Sequence, residues 1–260
     1  MTAALLEVRG LTRVFGGIKA VDSLSFDAHE GGVTGLIGPN GAGKTTVFNL
    51  ITGVYRPTAG TIRLAGESLT GRRPDDVARA GVARTFQNIR LFARMTCLEN
   101  VTAPILARAS YGPFAAIFRA PAASSAERAA REKAFAIMRE LGIEETMSSQ
   151  ASNLPYGTQR KLEIARALAC SPKLVLLDEP AAGMNDAETR ELGGTIRRVL
   201  ADFGVTILLI EHHINLVLDI CDHVVVMERG ALLARGAPGD IRENGAVVDA
   251  YLGRRRERAL

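Results

Sequence analysis

The run Gly38-Pro39-Asn40-Gly41-Ala42-Gly43-Lys44-Thr45 constrains this chain more than any other stretch, because it is a full G-x-x-x-x-G-K-[ST] pattern. In a chain with 26 glycines in 260 residues and only five lysines, such a run arises by chance roughly 0.005 times. Its flanks agree with it. Residues 33–37 read as a strand entering the loop and residues 44–52 as a helix leaving it, ending where Gly53 can take the left-handed cap. Glycines in such a loop let backbone N–H groups converge on phosphate oxygens, and the helix start adds about half a positive charge. The expected phosphate-binding set is therefore Gly38, Pro39, Asn40, Gly41, Ala42, Gly43, Lys44, Thr45 and Thr46, with Lys44 reaching the β- and γ-phosphates and the Thr45 hydroxyl ligating Mg2+.

Around this loop the chain alternates short β-rich runs with helical stretches. Residues 5–8, 24–26, 33–37 and 61–64 read as strands parted by turns such as Gly16-Gly17 and Gly31-Gly32. Residues 96–169 are rich in alanine, arginine and glutamate with no strand pattern, which predicts a helical subdomain. Continuous apolar runs return at 174–177, 206–210 and 224–227, as expected of strands buried on both faces of a parallel sheet. The expected fold is α/β with a helical insertion. Three cysteines, Cys97, Cys170 and Cys221, are widely spaced, which favours free or buried thiols over a disulfide framework. The N-terminus lacks a signal-peptide pattern, and Arg108 and Arg119 interrupt the longest apolar candidate, so a soluble chain is expected. A net charge of +4 is too small to argue for nucleic acid.

The second anchor is Leu174-Val175-Leu176-Leu177-Asp178-Glu179, a buried strand ending in two carboxylates. At the carboxyl end of a parallel strand such a pair faces the ligand crevice. There Asp178 would join the magnesium shell and Glu179 would act as general base on the attacking water. A solvated strand end is the plain alternative, and it is the phosphate loop that favours the functional reading.

Between the anchors, Leu154-Pro155-Tyr156-Gly157-Thr158-Gln159-Arg160-Lys161 leads into a helix. Placed just ahead of the Asp-Glu strand, it resembles the signature motif of ATP-binding cassette (ABC) ATPases, and the resemblance extends over essentially the whole chain. It implies a P-loop cassette with a RecA-like parallel-sheet core, an antiparallel β subdomain and an inserted helical subdomain. The implied division is a single cassette domain over 1–260, with a core lobe of 1–95 and 170–235, a helical part of 96–169 and a C-terminal extension of 236–260. Phe15 matches the aromatic that stacks on adenine, Gln87 a glutamine that joins catalysis and the metal shell, Gly183-Met184-Asn185 the D-loop and His212 the switch histidine. Each also has a plain structural reading: core aromatic, surface amide, strand-end histidine. In the family, two cassettes sandwich two ATP molecules head to tail, so Gly157 would serve the nucleotide of a partner. ATP and Mg2+ are the implied cofactors.

The chain departs from the family pattern Leu-Ser-Gly-Gly-Gln. Pro155 stands for the serine, Tyr156 for the first glycine and Thr158 for the glutamine, and Asn185 replaces the D-loop aspartate. Proline offers neither hydroxyl nor N–H. Other stretches are similar to the LivG-type ATPases of branched-chain amino-acid importers: Ala83-Arg84-Thr85-Phe86-Gln87-Asn88-Ile89-Arg90-Leu91-Phe92, Leu162-Glu163-Ile164-Ala165-Arg166-Ala167-Leu168, Leu209-Ile210-Glu211-His212 and Tyr251-Leu252-Gly253, with Tyr111-Gly112-Pro113-Phe114 inside that branch's extra segment. Importers of urea, amides or aromatic acids share them, and the lipopolysaccharide-export ATPase is a near relative. The implied partners are membrane permease subunits, a second cassette and, indirectly, an extracytoplasmic solute-binding protein. The implied location is peripheral, on the cytoplasmic face of the membrane. No nucleic acid is implied.

A soluble cassette protein acting on DNA or ribosomes would be expected to carry two cassettes or a long coiled coil. A GTPase would need an Asn-Lys-x-Asp type motif, and no lysine here follows an asparagine. A small-molecule kinase has no use for a signature or a switch histidine. The doublet His212-His213, read on a strand, would point its rings to opposite faces and could not share one metal ion. The tail Arg254-Arg255-Arg256-Glu257-Arg258 reads as a solvated terminus rather than a lipid contact.

Overall fold

A computed structural model describes residues 3–108 and 121–257. Tyr111-Gly112-Pro113-Phe114 and Arg258 lie outside the described residues, as do the side chains of the remaining arginine-rich tail. The chain forms two compact units, Met1–Gln87 with Lys173–Leu260, and Asn88–Pro172.

The first unit holds two sheets. The antiparallel one has the order β2-β1-β4-β5, with β1 Ala4–Phe15, β2 Ile18–His29, β4 Ala59–Leu64 and β5 Glu67–Ser68. The first two strands are three to four times longer than the apolar runs at 5–8 and 24–26, because they continue through polar residues into a two-residue hairpin. Phe15 pairs with Ile18 across Gly16-Gly17, both at positive φ, as such tight hairpins require. Register shifts along the pair break the period-two signal that would otherwise reveal the strands.

The second sheet has the order β10-β9-β3-β8-β7-β6. Strands β3 Val33–Ile37, β7 Leu174–Asp178 and β8 Thr206–Ile210 are parallel and buried at every residue, which is why they are mostly apolar, with Thr34, Asp178 and Thr206 as buried polar exceptions. β6 Val82–Arg84 and β9 His223–Glu228 extend the parallel set, and β10 Ala231–Gly236 returns antiparallel after an Arg229-Gly230 turn. β10 is a half-exposed edge and β6 has three residues, so neither gives an apolar run to read. One apolar core joins both sheets to helix α1 (Lys44–Ile51): Leu6, Phe26 and Ile62 share it with Phe48, Ile51, Leu36 and Leu208.

The second unit is helical. Its helices are α3 Cys97–Leu106, α4 Pro121–Glu140 and α5 Tyr156–Ala169, following the short α2 Pro74–Ala80 of the first unit. Thr96 and Glu99 form a capping box at the start of α3, and Val101, Ala134, Met138, Leu162 and Leu168 are buried among the three helices. Its sole β feature among the described residues is an isolated bridge between Thr96 and Gln150. The remaining helices, α6 Asp186–Phe203, α7 Ile214–Ile220, α8 Pro238–Glu243 and α9 Gly245–Glu257, belong to the first unit. No helix among the described residues is long and apolar enough to cross a membrane. All three cysteines are free, and burial pushes the Cys221 thiol up to about 12.

Candidate active site

Two close approaches shape the phosphate loop. At Gly38 (φ +150°) a Cβ would lie 2.1 Å from the Met227 carbonyl oxygen, and at Gly43 (φ +99°) 2.3 Å from that of Ala20. No side chain fits at either point, so the loop is seated on β9 and β2 through its glycines. Gly43 is also the N-cap of α1 and offers no side-chain acceptor, which leaves the orphan N–H groups of the first turn for another partner. Asn40, Gly41, Ala42, Gly43, Lys44, Thr45 and Thr46 line a cavity of ≈ 970 Å³, together with Gln87, Glu179 and His212. Lys44 is buried, and its Nζ donates to the carbonyl oxygens of Gly38 (2.6 Å) and Pro39 (3.1 Å).

Glu179 forms the opposite wall. Its Oε2 accepts a hydrogen bond from Gln87 Nε2 at 2.8 Å, and its Oε1 lies 2.6 Å from His212 Nε2. The segments after β6 and β8 thus bring two side chains, 92 and 33 residues away along the chain, to the one carboxylate that follows β7. Glu179 has φ +48°, a left-handed conformation that costs a non-glycine residue about 1–2 kcal/mol. Its N–H donates to the Ile210 carbonyl oxygen at 2.9 Å, pinning the turn that aims the side chain into the cavity.

Asp178 does not border the cavity. It is buried, and its Oδ2 accepts from Arg84 Nη2 at 2.6 Å. Gly38 and Pro39 are not among the lining residues either. Phe15 is not part of the lining either: its ring meets Tyr55 edge-on, with centroids 5.2 Å apart, and the Arg13 guanidinium covers it at 4.4 Å. Gly157 belongs to the helical unit, in the first turn of α5. There Pro155 is the N-cap and makes no side-chain cap, while the buried Arg160 donates to the Tyr156 hydroxyl (2.9 Å) and to Glu163 (3.0 Å).

The His212-His213 doublet sits beyond the end of β8 rather than on it, so strand alternation does not govern the two rings; His212 reaches Glu179 and His213 is the N-cap of α7. Glu211 makes this turn. Its buried carboxylate accepts the N–H groups of Ala181 (2.8 Å), His212 (2.9 Å) and His213 (3.2 Å), joining the segment after Glu179 to the histidine doublet. Neither Glu211 nor Arg84 was given a role by sequence reasoning; a carboxylate directly after the apolar run of β8 is the signal that marks Glu211, whereas the three-residue edge strand β6 leaves none for Arg84. Glu211→Ala strips three N–H groups of their acceptor and is expected to cost about 2–4 kcal/mol of stability in urea unfolding, with Glu211→Gln recovering part of it.

Asn185, the D-loop departure, caps α6: its Oδ1 accepts from the N–H groups of Ala187 (2.9 Å) and Glu188 (3.0 Å), and Glu188 returns a bond to its N–H. Asparagine caps as well as aspartate, so the exchange costs the helix little.

Among the described residues, no cluster of three or more His, Cys, Asp or Glu is arranged to hold a metal ion. A hydroxyl at Thr45, an amide at Gln87 and one carboxylate at Asp178 instead match the donors Mg2+ takes when phosphates complete its shell.

The ABC transporter family model matches residues 21–182. The high-affinity branched-chain amino acid transport ATP-binding protein BraF of Pseudomonas aeruginosa is 47% identical over 253 residues, covering 97% of this chain and 99% of that protein. The corresponding LivG of Escherichia coli is 44% identical over the same shares. Among solved structures, the ADP conformation of MJ1267, an ATP-binding cassette of an ABC transporter, superposes with a TM-score of 0.85 at 31% identity, over 97% of this chain and all of that one. With a family model spanning most of the sequence, near-full-length relatives and a matching fold, the chain belongs to the ABC transporter family.

Proposed function

We propose that this chain is the ATP-hydrolysing subunit of an importer for branched-chain or related amino acids. The observation that carries the hydrolytic part is the Gln87–Glu179–His212 constellation facing the phosphate loop across one cavity. Glu179 takes the proton of the attacking water, while His212 and Gln87 hold its two oxygens in place. Lys44, Thr45 and the N–H groups of the loop bind and orient the β- and γ-phosphates, and Phe15 at the end of the hairpin stacks on adenine. Mg2+, held by Thr45, Asp178 and Gln87, would neutralise charge on the transferred phosphoryl group.

The solute class comes from the relatives, which are near-full-length matches to transport proteins of that kind. The chain acts as a peripheral subunit on the cytoplasmic face of the membrane, coupled through Gln87 and the helical unit to permease subunits. It pairs with a second cassette, homologous or identical, and the solute-binding protein acts on it through the permease. The direct test is reconstitution of the complex in liposomes with the cognate binding protein. ATPase stimulation and uptake with leucine, isoleucine or valine are expected, and stimulation only by urea, amides or aromatic acids would overturn the solute assignment.

In such a pair the nucleotide facing Pro155 lacks a serine hydroxyl. Pro155→Ser is expected to raise ATPase activity of the assembled complex several-fold. Because serine at an N-cap also stabilises a helix by about 1 kcal/mol, the melting temperature is measured beside it. Unchanged or lower turnover in a stabilised complex would sink the idea.

A further inference from the structure

Arg84 occupies the end of the short strand β6 and is almost wholly buried, with a side chain 9% exposed against 4% for Asp178. Its two terminal nitrogens serve different elements. Nη2 donates to Asp178 Oδ2 at 2.6 Å, at the end of β7, and Nη1 donates to Asn49 Oδ1 at 2.7 Å, inside the phosphate-loop helix α1. The guanidinium carbon is 5.5 Å from the ring centroid of Phe48 and 5.1 Å from that of Phe86. Its Nε is buried and finds no hydrogen-bond partner among the described residues.

The same strand end makes two more connections to the Asp178-Glu179 pair. Thr85 accepts the Asp178 N–H at 3.3 Å on its hydroxyl, and Gln87 donates to Glu179. Residues 84–87 therefore address both carboxylates at once, and Arg84 alone adds α1 to the set. A buried carboxylate that faces one cation is strongly oriented, since rotating away would leave both charges unpaired in a low-dielectric site. With Oδ2 committed to Arg84, Oδ1 is the oxygen left to a further ligand.

From this geometry we propose that Arg84 is a positioning residue: it fixes the Asp178 carboxylate relative to the phosphate-loop helix, behind the cavity lining, so that one oxygen is held to accept from a water of the divalent ion's shell. The inference rests on the proposed ATPase reading and says which residue sets the metal geometry. Mg2+ and Mn2+ demand near-octahedral ligand placement, so a carboxylate that is free to turn binds them less well.

The test compares Arg84→Lys with its parent, both in the Glu179→Gln background to prevent turnover. Lysine keeps the positive charge, so repulsion of the cation is unchanged, but a single ammonium cannot serve Asp178 and Asn49 as the planar fork does. Two quantities are read on the full chain: ATP affinity in EDTA, and Mn2+ affinity of the ATP complex by electron paramagnetic resonance. The expected result is a roughly tenfold weaker Mn2+ affinity, with ATP affinity in EDTA held within about twofold. Asn49→Ala, which leaves the charge pair intact and removes only the tie to α1, is expected to shift Mn2+ affinity about threefold in the same direction, and it carries the test if Arg84→Lys does not fold. Unchanged Mn2+ affinity, or ATP and Mn2+ affinities falling by the same factor, would overturn the proposal. A parent that binds no ATP would instead overturn the ATPase reading beneath it.

Discussion

Glu179→Gln is expected to leave ATP affinity within about twofold while lowering hydrolysis about 10²- to 10⁴-fold, a barrier increase of about 3–5 kcal/mol. The exchange is isosteric, and the left-handed backbone at this position is equally open to either side chain. Ground-state contacts change little: a carboxamide still has an oxygen to face His212 or Gln87. What disappears is the ability to take a proton and to carry the negative charge on which both neighbours converge. Equilibrium titration with ATP and single-turnover phosphate release separate the two effects. Near-normal release would reject Glu179 as the base. A parallel loss of binding would show that its contacts to Gln87 and His212 serve the shape of the cavity more than the chemistry.

Local chemistry made this site legible in sequence wherever a residue type is demanded by its own backbone or ligand. Gly38 and Gly43 cannot carry a Cβ, the three inner parallel strands must be apolar on both faces, and helix α1 begins where its N–H groups are needed. The expected strands at 33–37 and 206–210 coincide with β3 and β8 for that reason. Legibility fails where the partner is distant in sequence. Arg84 meets Asp178 across 94 positions, and Glu211 meets Ala181 across 30. No periodicity encodes such pairs, because each arises when parallel strands stack their carboxyl ends side by side. It also fails at sheet edges: β10 is exposed on its outer side and β1 passes through bulges, so burial there leaves no regular trace. Asn185 shows the converse. The family motif assigns no effect to this departure, whereas its place ahead of α6 makes it a fully used cap.

Lys44→Ala is expected to weaken ATP binding about 100-fold, and the pattern across ligands says more than the size of the loss. The ammonium is buried at 5% exposure and spans the loop through the neutral carbonyls of Gly38 and Pro39. When β- and γ-phosphates bind, it exchanges neutral acceptors for charged oxygens, and hydrogen bonds of that kind contribute about 1.5–3 kcal/mol. AMP lacks the β- and γ-phosphates, so its affinity should fall less than threefold, whereas ADP and ATP should both lose most of theirs. Lys44→Arg should not rescue them, because a planar guanidinium fork does not replace the compact ammonium that reaches the Gly38 and Pro39 carbonyl oxygens at 2.6 and 3.1 Å from inside the loop. If AMP weakened as much as ATP, the lysine would be acting on the fold of the loop, and the unfolding midpoint of the nucleotide-free chain would drop with it. A specific loss for ADP and ATP, at nearly constant stability, places the ammonium on the phosphates themselves.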